Sequence, residues 1–399
     1  MHYDIPCWGD PLDEGALAQA VTCRRTSEHV ALMADHHLGY AVPIGGVVVY
    51  RDAISPSGVG YDIGCGNKAV RLDANASVVK ATIASIMDRI TERISFGMGR
   101  VNGVEVEHAM FDRGDRRWDH PALKPLKRMA AQQLGTVGGG NHYVDIFIDG
   151  RGRVWVGCHF GSRGLGHKTA TWFLKQGGAV DAINAEPLVL PTSSALGQEY
   201  IECMKLAGEY AYAGRDWVCA EVARIIGANI VEEVHNHHNF AWQEHHFNTD
   251  VWVVRKGATP LFPGQRGFIG ASMGEDAFIV RGAEPHEQCG ADEEEQVMAC
   301  NSTVHGAGRA MSRTKAKGKT NRRTGEIISP GCISRQQMDD WLWDAGVELR
   351  GGDLDEAPQA YKRLSEVIAH HGFNVVIEEA LTPIGVAMAG RDIIDPFKD

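Results

Sequence analysis

Apolar residues recur at helical spacing in several segments, so that positions three and four apart repeat along one face. The first such segment is Glu14–Arg24, and a longer one covers Ala76–Ile94. Two neighbouring stretches in the middle of the chain and two near its end show the same period. They predict helices over Gly197–Tyr212, Arg215–Gly227, Arg335–Asp344 and Pro358–His370.

Short apolar or alternating runs between glycines and polar turns predict strands. They cover Val47–Tyr50, Tyr143–Ile148, Val154–Cys158, Asp250–Thr259 and Asn374–Glu379. Strands and helices are interleaved without a regular strand–helix–strand alternation, and no internal repeat or linker divides the chain. We therefore expect one large α+β domain with a mixed sheet over residues 1–399.

Three segments lack a clear period and predict irregular chain. We expect turns over His29–Gly46, a surface loop with a basic face over Asp112–Arg128, and a solvated acidic loop over Ala291–Gln296. Polar residues, glycines and charge runs dominate these segments, as is typical of loops.

The overall charge narrows the classes of function. The chain has 399 residues, a formal net charge of −11 and a hydrophobic content of 44%. This balance is ordinary for a globular protein and argues against nucleic-acid binding by bulk charge, although a local basic cleft could still hold phosphates. No apolar run could span a bilayer, and no signal peptide is evident. Cysteines without a CxxC pair fit free thiols, so we expect a cytoplasmic protein without a membrane partner.

Several side chains that can bind metal lie beside glycine turns. Asp62 and Cys65 are three apart in YDIGCG, so they could share one ion or bridge two; the alternative is a buried thiol beside a loop-capping aspartate. His142 ends GGGNH, His159 opens HFGSRGLGH, and EEVHNHHNFAWQEHH adds more histidines. We expect one or two of that last group to bind metal, unless they form a polar helix terminus. Asp, Cys and His together favour Mn²⁺, Zn²⁺ or Fe²⁺ over Ca²⁺ or Mg²⁺.

Glycine turns next to positive charge suggest phosphate handling. They include Arg163 in GSRGLG, the GASMG loop over Gly270–Gly274, and HGAGR around His305. Neither the P-loop GxxxxGK[ST] nor a Rossmann GxGxxG after a strand is present, so these are not the common nucleotide cradles. His305 could cap its turn, bind metal or attack phosphorus as a nucleophile, with Arg309 close enough to hold the phosphate.

Taken in order, the motifs resemble those of the RtcB family of RNA ligases. They are MADHHLGYAVPIGGVVVY, SPSGVGYDIGCG, GTVGGGNHYVDI, HFGSRGLGH, VVRKGATPLFPG, GASMG, STVHGAGRAMSR and EAPQAYK, between about Met33 and Lys362. The resemblance implies a fold with a central metal-containing cleft and an enzyme of RNA repair or tRNA splicing. That enzyme joins RNA 3′-phosphate or 2′,3′-cyclic phosphate ends to 5′-hydroxyl ends, using GTP and two Mn²⁺ ions. An accessory activating protein and the oligomeric state stay open.

The resemblance also assigns roles to individual residues. The implied metal ligands are Asp62, Cys65, His142, His159 and His238, with Cys65 bridging the two ions, and His305 is the residue that becomes guanylylated. The implied nucleotide-binding residues are Asn141, Asp145, Asn239, Ser272, Met273, Gly274, Gly306, Ala307, Gly308 and Tyr361, together with His305. Arg163 and Arg309 are expected to hold the RNA phosphate.

The chain departs from the family pattern at several positions. Asp145 stands where Glu is usual, Phe160 where Ser or Thr is usual, and Glu275–Ala277 where Thr-x-Ser follows SMG. Ala389 precedes Gly390 where the family ends in Lys-Gly, and Lys398 is the nearest substitute. These departures favour a divergent paralogue. The alternatives are a metal-dependent nucleotidyltransferase or phosphoesterase that does not seal RNA, and a weakly active RNA-end-binding protein.

If RNA binds, the acidic net charge restricts its contacts to a basic face. The candidates are Arg113, Arg116, Arg117, Lys124, Lys127, Arg128, Lys315, Lys317, Lys319, Arg322 and Arg323. Taken singly, each is explained equally well as an ordinary solvated charge.

Overall fold

The computed structural model describes residues 4–112, 114–180, 182–288, 290–320 and 327–391. The candidate RNA-binding residues Arg113, Arg322 and Arg323, and the substitute lysine Lys398, lie outside these ranges. Within them, α-helices cover Glu14–Arg24 (α1), Pro56–Val59 (α2), Ala76–Ala81 (α3), Ile83–Arg93 (α4), Lys127–Gln133 (α5), Arg163–Gln176 (α6), Ala195–Ile226 (α7), Gly290–Met298 (α8), Arg313–Lys317 (α9), Arg335–Ala345 (α10) and Leu364–Ala369 (α11). No helix among the described residues has the length and apolar character needed to cross a membrane.

The strands form one large sheet, a smaller four-stranded sheet and three short ribbons. They cover His29–His37 (β1), Ile44–Tyr50 (β2), Ala53–Ile54 (β3), Gly66–Asn75 (β4), Tyr143–Asp149 (β5), Arg153–Phe160 (β6), Leu190–Pro191 (β7), Ile230–His237 (β8), Asn239–His246 (β9), Thr249–Lys256 (β10), Ala258–Pro260 (β11), Arg266–Ile269 (β12), Ala277–Gly282 (β13), Ser302–Val304 (β14), Gly318–Thr320 (β15), Ile327–Pro330 (β16), Glu348–Gly352 (β17) and Val375–Gly390 (β18).

The large sheet runs in the order β12-β13-β18-β5-β6-β4-β8, with every neighbouring pair antiparallel and β17 added parallel to β18. The smaller sheet has the order β1-β2-β10-β9. α7 packs against β4 and β6, and α4 packs against β18. Helices and mixed strands thus share one body, which confirms the α+β prediction.

Both faces of the large sheet are covered by apolar side chains. On β6, Val154 and Val156 pack with residues of α4 and α7, while Trp155 points into a separate cluster with Phe268. A strand buried on both faces has no alternation of apolar and polar residues, because neither face meets water. The same holds for β1, which is buried along almost its whole length. The prediction of turns over His29–Gly46 was therefore wrong for His29–His37, and also for residues 44–46, which begin β2.

The helix predictions were correct in place but not always in extent. The segment Ala76–Ile94 breaks at Thr82, whose φ of −116° is not helical. The two helices predicted on either side of Gly214 are one helix, α7. Gly214 lets that helix approach the sheet, because a Cβ there would lie 3.2 Å from the ring of Phe160.

Other differences arise where polar sequence is nevertheless ordered. The acidic run Ala291–Gln296 lies in α8, whose inner face buries Gln296, so the loop prediction was wrong. The helix predicted over Pro358–His370 is a 3₁₀ turn followed by α11. The basic segment Asp112–Arg128 contains two 3₁₀ turns, and its Trp118 is buried in the core.

Candidate active site

The sheet pairing brings the predicted metal ligands to one edge of the large sheet. Cys65 immediately precedes β4, His142 precedes β5, His159 lies near the end of β6, and His238 follows β8. In the antiparallel registers, Gly66 pairs with both Phe160 and His237, and Tyr143 pairs with His159. Antiparallel neighbours run in opposite directions, so the start of one strand and the end of the next lie at the same edge of the sheet. The ligand candidates, dispersed in sequence, therefore converge.

Three of these side chains form a compact cluster. Cys65 Sγ lies 3.7 Å from His142 Nε2 and 3.7 Å from His159 Nε2. Asp62 Oδ2 lies 3.2 Å from His142 Nε2. The ring of His238 stacks on that of His159, with centroids 5.0 Å apart, so it borders the cluster. The structure thus brings all five predicted ligands together, with His238 at the margin.

The donor set fits a divalent metal ion. Among the described residues, His238 Nδ1 is buried and has no hydrogen-bond partner. An unpaired buried nitrogen is costly unless something else binds it, and imidazole is the commonest metal ligand. A thiol, a carboxyl and three imidazoles make a mixed set that suits a borderline ion such as Mn²⁺ or Zn²⁺.

The electrostatics of the cluster favour neutral imidazoles beside a carboxylate. Burial lowers the pKa of His159 and His238 well below the usual value, and neighbouring positive groups lower them further. Burial would raise the pKa of Asp62, but its contacts with His142 outweigh this and hold the pKa at about 2. Burial and Asp62 together raise the pKa of the Cys65 thiol. A cation in the cluster would reverse that last effect, because metal binding displaces the thiol proton.

Two residues that the sequence analysis missed hold these ligands in place. Asn67 Oδ1 lies 2.7 Å from His159 Nδ1, and the Asn67 amide donates to the carbonyl of Phe268 at 2.9 Å. These contacts put the proton on Nδ1 and leave Nε2 of His159 facing Cys65.

Arg215, the second residue, is fully buried on α7. Its guanidinium donates to the carbonyl of Gly64 at 2.9 Å and to that of Phe160 at 2.5 Å, the positions next to Cys65 and His159. It also contacts His235 Nε2 at 2.8 Å and His237 Nδ1 at 2.9 Å. His235 and His237 are therefore structural partners of the arginine.

His305 is held by a buried carboxylate. Asp35 Oδ2 lies 2.6 Å from His305 Nδ1, a close ionic contact that is not aligned as a hydrogen bond. The same oxygen accepts from the backbone N–H groups of His305 at 2.9 Å and Gly306 at 3.3 Å. Burial would raise the pKa of Asp35, but the contacts with His305 lower it overall. The negative charge beside Nδ1 favours a proton on that nitrogen, which leaves the Nε2 lone pair available. The ring of His305 lies 4.9 Å from that of His238, measured between centroids.

The turn after His305 must be glycine-rich to allow this contact. Gly308 has a φ of +70°, and a Cβ there would lie 2.5 Å from the carbonyl oxygen of Asp35. Asp35 itself lies in β1, within the segment predicted as turns. The sequence offered no signal for its role other than proximity to a histidine-rich motif.

The cleft around these groups has a volume of about 1150 Å³. It is lined by all of the predicted nucleotide-binding and phosphate-binding residues except Gly274, which is covered by Trp341 at 3.0 Å from the position of a Cβ. Asp145 is buried in this cleft, and its Oδ1 has no hydrogen-bond partner among the described residues. Burial raises the pKa of Asp145 well above its usual value.

The altered loop after Met273 forms a closed network of its own. Ser272 Oγ donates to Glu275 Oε2 at 2.7 Å, and Glu275 forms an ion pair with Arg363. The guanidinium of Arg363 lies 4.2 Å from the ring centroid of Trp341. The Ser272 hydroxyl is therefore hydrogen-bonded to Glu275, and Arg363 neutralises the charge of Glu275.

The two predicted phosphate-binding arginines have different environments. Arg163 opens α6 with a φ of +56° and donates to the carbonyl of Gly97 at 3.1 Å. Arg309 donates to the hydroxyl of Tyr361 at 3.0 Å and lies 3.5 Å from Glu356. Arg309 thus shares its charge with an acid inside the cleft.

Part of the predicted basic face is neutralised. Arg117 forms ion pairs with Asp115 at 2.8 Å and Glu209 at 2.7 Å. Lys317 lies 3.2 Å from Asp353 and 3.4 Å from Asp355. The exposed cations of this group within the described ranges include Arg116, Lys124, Arg128, Lys315 and Lys319.

Comparison with known proteins agrees with this arrangement. The family model described as tRNA-splicing ligase RtcB matches residues 16–388. The RNA-splicing ligase RtcB of Escherichia coli (strain K12) is 30% identical over 394 residues, which cover 90% of this chain and 91% of that protein. The tRNA-splicing ligase RtcB of Thermococcus kodakarensis is 28% identical over 441 residues, covering 89% of this chain and 86% of that protein. The match over nearly the whole chain confirms the resemblance of the motifs, and the chain belongs to the RtcB family.

Proposed function

We propose that this chain is a GTP- and Mn²⁺-dependent RNA ligase. It joins RNA 3′-phosphate or 2′,3′-cyclic phosphate ends to 5′-hydroxyl ends through a histidine–GMP intermediate. The observation that carries the proposal is the placing of His305 against the buried carboxylate of Asp35, beside the cluster around Cys65 in a single cleft. A histidine oriented through Nδ1 by a carboxylate is poised to act as a nucleophile at Nε2.

The chemistry at His305 follows from this orientation. Nε2 attacks the α-phosphorus of GTP, the bond to the β-phosphate oxygen breaks, and pyrophosphate leaves. The imidazole becomes positively charged as the N–P bond forms, and Asp35 stabilises that charge. A 2′,3′-cyclic phosphate end is first opened by water to a 3′-phosphate. An oxygen of the RNA 3′-phosphate then attacks the phosphorus of the bound GMP, and the N–P bond to His305 breaks. Finally the 5′-hydroxyl attacks the activated RNA phosphate and expels GMP.

The five clustered side chains would hold the two Mn²⁺ ions. When bound, the ions neutralise negative charge that develops on the phosphates. Asn67 and Arg215 keep His159 and the backbone next to Cys65 in position. Arg163 and Arg309, which both line the cleft, would hold the terminal RNA phosphate, with the charge of Arg309 partly offset by Glu356.

A second function is favoured by the loop after Met273. Glu275 occupies the Ser272 hydroxyl and adds an acid beside a site meant for a nucleotide. A chain altered in this way could transfer a nucleotide to His305 without completing RNA sealing. The runner-up is therefore a metal-dependent nucleotidyltransferase or phosphoesterase.

One assay tests both functions. The purified protein is incubated with Mn²⁺ and GTP labelled at the α-phosphate, then with RNA bearing a 3′-phosphate and a 5′-hydroxyl. We expect an acid-labile, alkali-stable adduct that His305→Ala abolishes and that the control His245→Ala, at an exposed histidine, leaves intact. Adduct without joined RNA would favour the second function, and absence of any adduct with GTP or ATP would contradict both covalent functions.

A further inference from the structure

Tyr40 and Tyr61 form an aromatic corner at one rim of the cleft. Their rings meet edge to face, with centroids 6.3 Å apart and planes at 86°. Tyr61 also stacks on His167, with centroids 5.1 Å apart and planes at 23°. Tyr40 is 40% exposed. The pattern of the sequence had assigned no role to either tyrosine.

The corner separates two cavities. Both tyrosines line the main cleft and also a second recess of about 290 Å³, which Thr171 and Lys256 line as well. A flat group entering from the cleft would therefore meet aromatic carbon on one side and open volume beyond it. Ring faces at such a position favour stacking with another π system.

The backbone that carries Tyr40 is fixed. Lys256 is 6% exposed, and its ammonium donates to the carbonyl of Tyr40 at 2.7 Å. The next residue, Ala41, donates its N–H to the carbonyl of Ile183 at 2.9 Å. The ring is thus presented from an anchored segment, which reduces the entropy lost when a ligand binds.

The corner lies close to where the terminal RNA phosphate is proposed to bind. Arg163, His167 and Thr171 all line the main cleft, and their spacing of four places them on one face of α6. One helical turn, about 6 Å, separates Arg163 from His167, on which Tyr61 stacks. The exposed ammonium groups of Lys168 and Lys175 continue along the same helix.

We propose that Tyr40 and Tyr61 form a stacking site for one nucleobase near the 3′-phosphate end of the RNA. The inference rests on the proposed function only in placing RNA in this cleft. Stacking tolerates any base, because every base has a π face, and so it suits an enzyme that meets varied broken ends. Single-stranded ends, whose bases are free to unstack, are the form of RNA that such sites bind.

The test measures binding separately from chemistry. A short single-stranded RNA with a 3′-phosphate and a 5′-fluorophore is titrated by fluorescence anisotropy, without GTP. Tyr40→Leu removes the π face but keeps an apolar side chain, and we expect affinity to fall by about tenfold to a hundredfold. Tyr40→Phe should bind within about twofold of the unaltered protein, because the ring stays. Trp343→Leu, at an aromatic residue that is 85% exposed on α10, is the matched control outside the cleft.

A second RNA identifies the contact as one with a base. In this RNA the nucleotides next to the 3′-phosphate are abasic, so stacking is lost whichever protein is used. We expect Tyr40→Leu and the unaltered protein to bind this RNA equally. The stacking site would be overturned if Tyr40→Leu and the unaltered protein bound intact RNA equally. It would also be overturned if Tyr40→Leu lowered the affinity for abasic RNA as much as it lowers the affinity for intact RNA.

The labelled-GTP assay, run in parallel, separates this inference from the proposed function. Adduct and joined RNA with no effect of Tyr40→Leu on binding would remove the stacking site alone. No adduct, together with the base-dependent loss of binding, would remove the ligase function and leave the stacking site standing. If the unaltered protein does not bind the intact RNA, the stacking site is wrong.

Discussion

Replacing Asp35 with asparagine tests how His305 is activated. Asp35 Oδ2 accepts from two backbone N–H groups as well as facing His305 Nδ1. In Asp35→Asn the amide oxygen must take the place of Oδ2, because an NH₂ group there would oppose two donors. His305 therefore keeps its proton on Nδ1, and the substitution removes the negative charge without changing the tautomer.

The size of the effect follows from the distance between the charges. An N–O contact of 2.6 Å places the charge centres of the carboxylate and the imidazolium about 4 Å apart. At an effective dielectric constant of about 20, the attraction is about 4 kcal/mol. If half of the imidazolium charge has developed in the transition state, Asp35 stabilises that state by about 2 kcal/mol, and by about 4 kcal/mol if the charge is complete. Since about 1.4 kcal/mol corresponds to a factor of ten, the rate should fall by between about thirtyfold and a thousandfold.

The assay is single-turnover formation of the His305 adduct with labelled GTP and Mn²⁺. We expect the maximal rate to fall while the GTP concentration for half-maximal rate changes by less than about threefold, because charge develops only in the transition state. Asp250→Asn, at an exposed carboxylate paired with His245, is the control and should react at the rate of the unaltered protein. A rate for Asp35→Asn within about threefold of normal would refute the argument, and so would a loss confined to GTP affinity.

Three further predictions concern other buried contacts. Arg215→Lys keeps the charge but has fewer donors for the carbonyls of Gly64 and Phe160 and for His235 Nε2. Urea unfolding should therefore show a loss of about 1–3 kcal/mol for each acceptor left unpaired, and an unchanged midpoint would contradict this. Glu244→Gln breaks the pair with the fully buried Arg255 and should cost about 3–5 kcal/mol near neutral pH. Burial would raise the pKa of Glu244, but its cationic neighbours lower it overall. The stabilisation is therefore present above about pH 4.3, the pKa in the unfolded chain, and is lost as pH falls through the lower pKa of the folded protein. The difference in unfolding free energy between Glu244→Gln and the unaltered protein should narrow in acid, and a constant difference would be contrary evidence. Glu275→Ala releases the Ser272 hydroxyl and leaves the charge of Arg363 unbalanced. Calorimetry should therefore show GTP binding about fivefold tighter, and unchanged or weaker binding would contradict this.

Local patterns in the sequence predicted most of the helices and those strands that carry an apolar run. α1 and α10 begin at their predicted residues, and β5 and β6 lie where alternating or apolar runs indicated strands, although both strands are buried on both faces. The prediction failed at β1, where the buried polar residues Asp35 and His36 interrupt the apolar run and resemble a turn sequence. It also failed at Thr82, where the backbone leaves helical geometry without any signal in the helical period.

For the candidate site, sequence reasoning found the groups that point into the cleft but not those behind them. Cys65, His142 and His159 lie beside glycine turns at strand ends, which is a pattern visible in the sequence. Arg215 is in the middle of a 32-residue helix, where an arginine ordinarily faces solvent. Its position becomes evident only once the helix is packed against β4 and β6, since its partners are backbone carbonyls on those strands and loops.

Two parts of the cleft, the surroundings of His305 and Cys65 and the loop after Met273, differ in how many buried contacts fix them. Around His305 and Cys65, the buried residues Asp35, Asn67 and Arg215 hold His305, His159 and the backbone next to Cys65, so that few changes would be tolerated. The loop after Met273 instead depends on the pairing of Glu275 with Arg363, a contact outside the cluster around Cys65. A family member can therefore alter its nucleotide contacts without losing the nucleophile. Divergence in this chain should accordingly appear first as a changed affinity for the nucleotide, with His305 still the residue that is labelled.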